Sequence, residues 1–216
     1  MCEAQEVVKL KFVSKRGDIE DKTLEFSPTF THQVFGDSEN IFGYRGLEVQ
    51  VYYTPGGLRT FVGVKYTEKV DPANSGGLKA DNVVSALAEW LPADFITNID
   101  KFVAAVEEDA VFKPFGEKLS QYRREEEVYE VYKVTAATPA FQAYYSRLRV
   151  FLIWYVDGAN FTDIDDSNWD YYLTYKVTGS PGHAHYSIVG FTTTYNFFAY
   201  PDRTCLLYTS PSPRDS

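Results

Sequence analysis

Cysteine is nearly absent from this chain. Cys2 and Cys205 stand at opposite ends of 216 residues, without the regular spacing of a disulfide framework, which favours a reducing intracellular compartment. No run approaches the roughly 18 consecutive apolar residues that span a bilayer, and the start MCEAQEVVKLKF has no apolar signal core. Membrane insertion and secretion are therefore not expected. Basic charge is also short: 21 Lys and Arg face 30 Asp and Glu, a net charge of −9. Such a surface does not offset a nucleic-acid backbone, so direct nucleic-acid binding is not expected, and the sign points to basic partners. There is no GxSxG elbow, no P-loop and no GxGxxG after a strand, so neither serine-based hydrolysis nor nucleotide hydrolysis is supported. Asp163, Asp165 and Asp166 suggest a calcium loop, yet glycine is missing at its sixth position and Thr174 stands where the twelfth-position glutamate belongs. They read as a polar loop. His183 and His185 share a strand face with no Cys or third His nearby, so no metal is expected.

What is present is apolar and aromatic bulk, 44% and 17% of the chain, ample for a buried core. Leu47, Val49, Val51 and Tyr53 alternate with Glu48, Gln50 and Tyr52, and Pro55-Gly56-Gly57 turns the chain into Leu58–Tyr66, which predicts a hairpin. Val83, Val84, Leu87, Trp90 and Leu91 fall at helical spacing after Asp81, and Pro92 stops that helix. A short helix follows Thr97 or Asn98, with Phe102, Val103 and Val106 on its apolar side. Lys113-Pro114-Phe115-Gly116 marks a boundary between two parts. The pair Arg123-Arg124, followed by Glu125–Glu127, reads as a solvated connection before the strand around Val128–Lys133. Thr138 and Pro139 open a helix whose apolar face, from Phe141 through Tyr155, continues until Gly158. Tyr171–Val177 and His185–Phe198 are expected strands, joined by Thr178–Gly182. The fold class is α+β.

Three segments carry more than periodicity: FSPTFTHQVFGDSENIFGY (Phe26–Tyr44), FKPFGE (Phe112–Glu117) and WYVDGANFTDIDDSNW (Trp154–Trp169). Together they resemble the catalytic subunit of type B histone acetyltransferases, with further support from LEVQVYYTPGGLR, FITN and VGFTTTYNFFAYPD. The resemblance runs from about Val7 to Thr204. It implies a histone-tail recognition domain over 1–112, and over 113–204 the first part of an acetyltransferase core of the general N-acetyltransferase (GNAT) type. The coenzyme-binding strand and a Gln-x-x-Gly-x-Gly turn are expected beyond Thr204. The last twelve residues, 205–216, change abruptly to Ser, Pro, Thr, Arg and Asp and read as a non-native tail, so the core is expected to be truncated and inactive, with the strand before it left as an open edge.

The resemblance also implies roles. A lysine amine has a pKa near 10.4, so attack on a thioester needs a proton acceptor. Asp157 matches the family's acidic position just after the long helix, one methylene shorter than expected. Trp169 and Tyr195 match aromatics that flank the stem of the target lysine, a task suited to flat apolar walls with a polar tip. Asp37 and Glu39, in FGDSEN, match acidic positions that contact the histone tail. The implied cosubstrate is acetyl-CoA. The implied partners are the N-terminal tail of newly made core histones and a β-propeller (WD-repeat) histone-binding chaperone, in nucleus and cytoplasm. A reading from another class is a non-catalytic acidic module that binds basic tails without modifying them.

Overall fold

The computed structural model describes residues 1–135, 137–180, 182–199 and 203–208, with the backbone alone described for residues 198, 199 and 203–208. It mixes 25% helix with 36% strand, which makes the chain α+β. Two units divide it. One holds Met1–Thr54, Leu58–Glu108 and Tyr145–Asn160; the other holds Pro55–Gly57, Asp109–Tyr144 and the chain from Phe161 on. In chain order the elements are β1 (Cys2–Glu3), α1 (Ala4–Val7), β2 (Val8–Phe12), α2 (His32–Phe35), β3 (Asn40–Ile41), β4 (Tyr44–Arg45), β5 (Glu48–Tyr53), β6 (Thr60–Lys65), β7 (Glu68–Lys69), α3 (Val83–Ala88) and α4 (Ile99–Asp109). They continue with β8 (Glu117–Arg124), β9 (Glu127–Val134), α5 (Pro139–Leu148), α6 (Val150–Tyr155), β10 (Trp169–Ser180), β11 (His183–Ala199) and β12 (Arg203–Tyr208).

The first unit is organised by a three-stranded sheet in the order β2-β5-β6, parallel on one side of β5 and antiparallel on the other. Both faces of β5 are covered, and Gln50 and Tyr52 are buried along with Val49, Val51 and Tyr53. Val13, Tyr52, Phe61, Phe102 and Val106 form one cluster, which joins the sheet to the apolar face of α4. Asn82 and Asn98 begin α3 and α4 by accepting the Ser85 and Lys101 N–H groups at 3.2 and 3.0 Å. Lys11 is wholly buried and is tolerated because the Asp18 and Ile19 carbonyls (3.2 and 3.0 Å) and Glu25 (3.4 Å) surround its ammonium. The helix predicted to run to Gly158 is interrupted at Arg149 and ends at Tyr155, since Val156 turns extended. Its last turn is anchored where the Trp154 Nε1–H donates to the Tyr53 hydroxyl at 3.1 Å.

The second unit contains a five-stranded sheet in the order β12-β11-β10-β9-β8, antiparallel throughout. Thr138 caps α5 by accepting the Phe141 N–H through its hydroxyl (3.3 Å), and Pro139 opens the helix as expected. One sheet face is aromatic: Tyr171 and Tyr175 of β10 are buried beside Phe141 and Tyr144 of α5, and the Tyr175 hydroxyl donates to that of Tyr144 at 3.0 Å. The Pro55–Gly57 turn belongs here because the Asp109 carboxylate accepts the Gly56 and Gly57 N–H groups at 2.7 and 2.6 Å.

Two expectations are corrected here. Arg123-Arg124 is not a solvated connection; it ends β8, and Glu125 and Glu126 make the turn into β9. All eight β8 residues are exposed, so that strand carries no apolar alternation by which to read it. The edge of β11, expected to be open, is paired from Thr194 to Ala199 by β12, which includes Cys205–Tyr208 of the segment set aside by composition. Residues 209–216 lie outside the described residues.

Candidate functional site

The candidate residues fall into two groups, one in each unit. In the first unit the organiser is α2, a single turn preceded by Thr31 and stopped by Gly36, whose φ of 78° removes it from the helix. The chain turns at once, with the Glu39 N–H donating to the Gly36 carbonyl at 2.9 Å and Glu39 itself left-handed at φ 49°. That turn folds the Glu39 carboxylate back onto Thr31, where it accepts the backbone N–H at 2.8 Å and the hydroxyl as well. The Thr31 hydroxyl holds the Glu39 carboxyl below its ordinary value; partial burial opposes this, and the Thr31 N–H and the nearby His32 assist it. Glu39 thus acts first as the cap of α2. Asp37, two residues earlier, is exposed.

The next two residues of α2 reach the segment after α6. His32 Nε2 lies 3.3 Å from Asp157 Oδ1, and the Asp157 side chain is 77% exposed. Gln33 clamps the following chain on both sides: its amide donates to the Ala159 carbonyl at 3.1 Å and accepts the Ala159 N–H at 3.2 Å. Consecutive side chains of Thr31, His32 and Gln33 therefore gather Glu39 and Asp157, which lie more than a hundred residues apart in sequence, around one turn of helix. Sequence reasoning missed all three. They directly precede FGDSEN, and that adjacency is the signal that could have found them.

In the second unit Trp169 opens β10 and faces Tyr195 of β11. The Asn196 N–H donates to the Asn168 carbonyl at 2.9 Å, which makes 168/196 a hydrogen-bonded pair and 169/195 the closer, non-hydrogen-bonded one. The rings accordingly meet edge to face, with centroids 4.9 Å apart at 70°. Phe197 extends the stack, its ring 4.5 Å from that of Tyr195. Trp169 and Tyr195 share a face with buried Tyr171, yet both are only partly buried and Phe197 is exposed. The aromatic face is core along its middle and an open wall at this end.

The loop before β10 supplies polar groups. Asp166 accepts the Asn168 N–H and amide at 2.9 and 2.8 Å, and Asn168 reaches the Tyr195 hydroxyl at 3.4 Å. The backbone N–H of Asn168 lowers the Asp166 carboxyl, and a hydrogen bond to Asp166 raises the Tyr195 phenol above its ordinary value. The other acids suggested for a calcium loop are spent on shape: Asp163 accepts the Asp165 N–H, and Asp165 accepts the Gln142 amide, both at 3.0 Å. Among the described residues no group of three or more His, Cys, Asp or Glu is arranged to hold a metal. Among the described residues, too, no helix is long and apolar enough to cross a membrane.

Residues 1–157 match the family model described as histone acetyl transferase HAT1 N-terminus. The chain belongs to the type B histone acetyltransferase catalytic subunit family. It is 36% identical over 209 residues to the histone acetyltransferase type B catalytic subunits of Rattus norvegicus and Homo sapiens, a match covering 94% of the chain and 50% of each relative. The corresponding subunit of Cryptococcus neoformans is 31% identical over 209 residues, covering 84% of the chain and 50% of the relative. The chain thus spans about half the length of these curated relatives. The match with the rat and human subunits extends well past residue 157, so it takes in part of the second unit.

Proposed function

We propose that this chain supplies the amine-recognition side of a histone lysine N-acetyltransferase of type B, acting with acetyl-CoA on the tails of newly made core histones. The observation that carries the reading is the open Trp169–Tyr195 wall at the end of an otherwise buried aromatic face. Paired rings with an exposed edge suit the four-carbon stem of a lysine, and a phenol tip suits its amine. The order β9, helices, β10, β11, β12 is how a GNAT-type core begins, and it supports that assignment for the second unit. On this reading Asp37 and Glu39 meet the basic tail, with Asp37 the freer of the two because Glu39 is already engaged by Thr31. Asp157 serves as proton acceptor, held by His32. A β-propeller (WD-repeat) histone-binding chaperone is the proposed companion, in nucleus and cytoplasm.

Acetyl-CoA needs backbone N–H groups turned toward its pyrophosphate, which glycine-rich turns at helix N-termini provide. No glycine follows Gly190 in these 216 residues. The residues present do not fit the coenzyme's pyrophosphate, so these residues by themselves are proposed to be catalytically silent, and no step is routed through the coenzyme. The net charge of −9 favours a second reading: an acidic tail-binding module without catalysis.

The test is fluorescence anisotropy with a lysine-bearing core-histone tail peptide and the same peptide acetylated at every lysine. The expected result is preference for the free lysine, with binding weakened roughly tenfold by Trp169→Ala, in line with loss of an aromatic anchor. Equal affinity for both peptides, or indifference to Trp169→Ala, would overturn the assignment. Adding acetyl-CoA tests the silence expected of these residues on both readings: transfer to the peptide by the chain alone would overturn it.

A further inference from the structure

The aromatic wall is not held by its own rings alone. Asp166 touches both sides of it. Its carbonyl accepts the Trp169 N–H at 3.2 Å, and its carboxylate accepts the Asn168 N–H and amide at 2.9 and 2.8 Å. The Asn168 amide, held by that carboxylate, in turn donates toward the Tyr195 hydroxyl at 3.4 Å. One acidic side chain in the loop before β10 therefore orients the phenol while its own backbone fixes the start of the strand that carries the indole.

We infer that Asp166 is a positioning residue for amine recognition, acting through the Asn168 amide and the Tyr195 hydroxyl to set the slot between Tyr195 and Trp169. This rests on reading that pair as the lysine wall. The geometry favours it over a plain loop role. An Asx turn needs one carboxylate oxygen for the Asn168 N–H, and it gains nothing from a cross-strand phenol. A partly exposed tyrosine chooses among staggered rotamers, and a tie on its hydroxyl selects one of them. A wall that must fit a flat-sided alkyl stem loses complementarity when one ring can swing. The Asn168 N–H lowers the Asp166 pKa, so the carboxylate is ionised near neutral pH and its two bonds to Asn168 are charge-assisted.

The experiment is a double-mutant cycle in the full chain with Asp166→Asn and Tyr195→Phe. Asparagine keeps the turn acceptor for Asn168 and removes the charge, so folding is preserved. In chain carrying 13C-labelled tyrosine rings, the Tyr195 Cζ resonance, assigned by its loss in Tyr195→Phe, reports hydroxyl ionisation against pH. Asp166→Asn is expected to move that midpoint downward, because the carboxylate that raises it is gone. With the free-lysine tail peptide, each single variant is expected to bind roughly three- to tenfold more weakly, and the double variant no worse than Tyr195→Phe, because coupled residues are non-additive. An unmoved midpoint, or strictly additive losses, overturns the inference. If the unaltered chain ignores the peptide, the substrate reading fails, and the Tyr195 midpoint alone decides whether Asp166 holds the ring.

Discussion

Two sites in this chain are built by opposite means. Around α2 the candidate acids are placed by local turns: Gly36 ends a helix, Glu39 folds back on Thr31, and His32 and Gln33 catch the segment after α6. At the start of β10 the candidate aromatics are placed by register, since residues 169 and 195 oppose each other in a close pair of an antiparallel ladder. The turn-built site uses much of its functional chemistry to hold itself together, because a single turn of helix leaves its N–H groups seeking acceptors. The register-built site leaves its side chains partly open, because the ladder supplies the order. Carboxylates that shape a loop are therefore poor evidence of ligand contact. Half-open rings continuing a buried face are better evidence.

The strongest break between the two comes from glycine. A Cβ on Gly116, at φ +83° just before β8, would lie 2.1 Å from the Lys133 carbonyl oxygen, whereas one on Gly36, at φ +78°, meets nothing within 4 Å. Gly116→Ala is expected to cost about 3 kcal/mol, and Gly36→Ala only the conformational penalty of about 1 kcal/mol. Thermal midpoints should then fall by roughly 6–12 °C and 2–4 °C. Equal shifts would mean that the sheet yields as readily as the loop. Next is Tyr144→Phe, which leaves the buried Tyr175 hydroxyl without that acceptor. A loss of about 1–2 kcal/mol by urea titration is expected, and a neutral result would show that other polar groups take up the hydroxyl.

Glu39→Gln should cost about 1 kcal/mol near neutral pH, the scale of a lost cap bond. Its sign with pH is set by a folded pKa below the ordinary 4.5. The carboxylate's contribution is full above the unfolded value and fades as pH falls through the folded one. Wild-type and Glu39→Gln chains should converge in urea midpoint in acid; a gap that persists there would place the effect elsewhere. The smallest expected change is Asp37→Asn. Stability should move by less than about 0.5 kcal/mol, as for exposed sites in general, while affinity for a basic tail drops roughly two- to fivefold. Unchanged affinity would remove Asp37 from the binding surface.

Legibility in the sequence followed periodicity. The helix opening at Thr138-Pro139 and the long strands around Tyr171–Val177 and His185–Phe198 could be read because apolar period, cap and turn residues agreed. The eight exposed residues of β8 offered no such pattern, and β12 falls where composition changes. For the candidate site, the segment motifs pointed to Asp37, Glu39, Asp157, Trp169 and Tyr195. They did not reveal that Thr31 engages Glu39, that His32 faces Asp157, or that Asp166 reaches Tyr195 through Asn168. Those contacts join residues separated by 8, 125 and 29 positions, and no periodic pattern encodes them.

By itself, then, the sequence determined the family, the α+β class, an acidic character suited to basic partners and the segments where chemistry concentrates. Those properties reside in residue identity and short-range spacing, which survive without a fold. The tertiary structure alone decided which carboxylates are already engaged and which aromatic rings leave the core for the surface. Engagement and exposure depend on what packs against a side chain, and only strand register and loop closure bring those neighbours together.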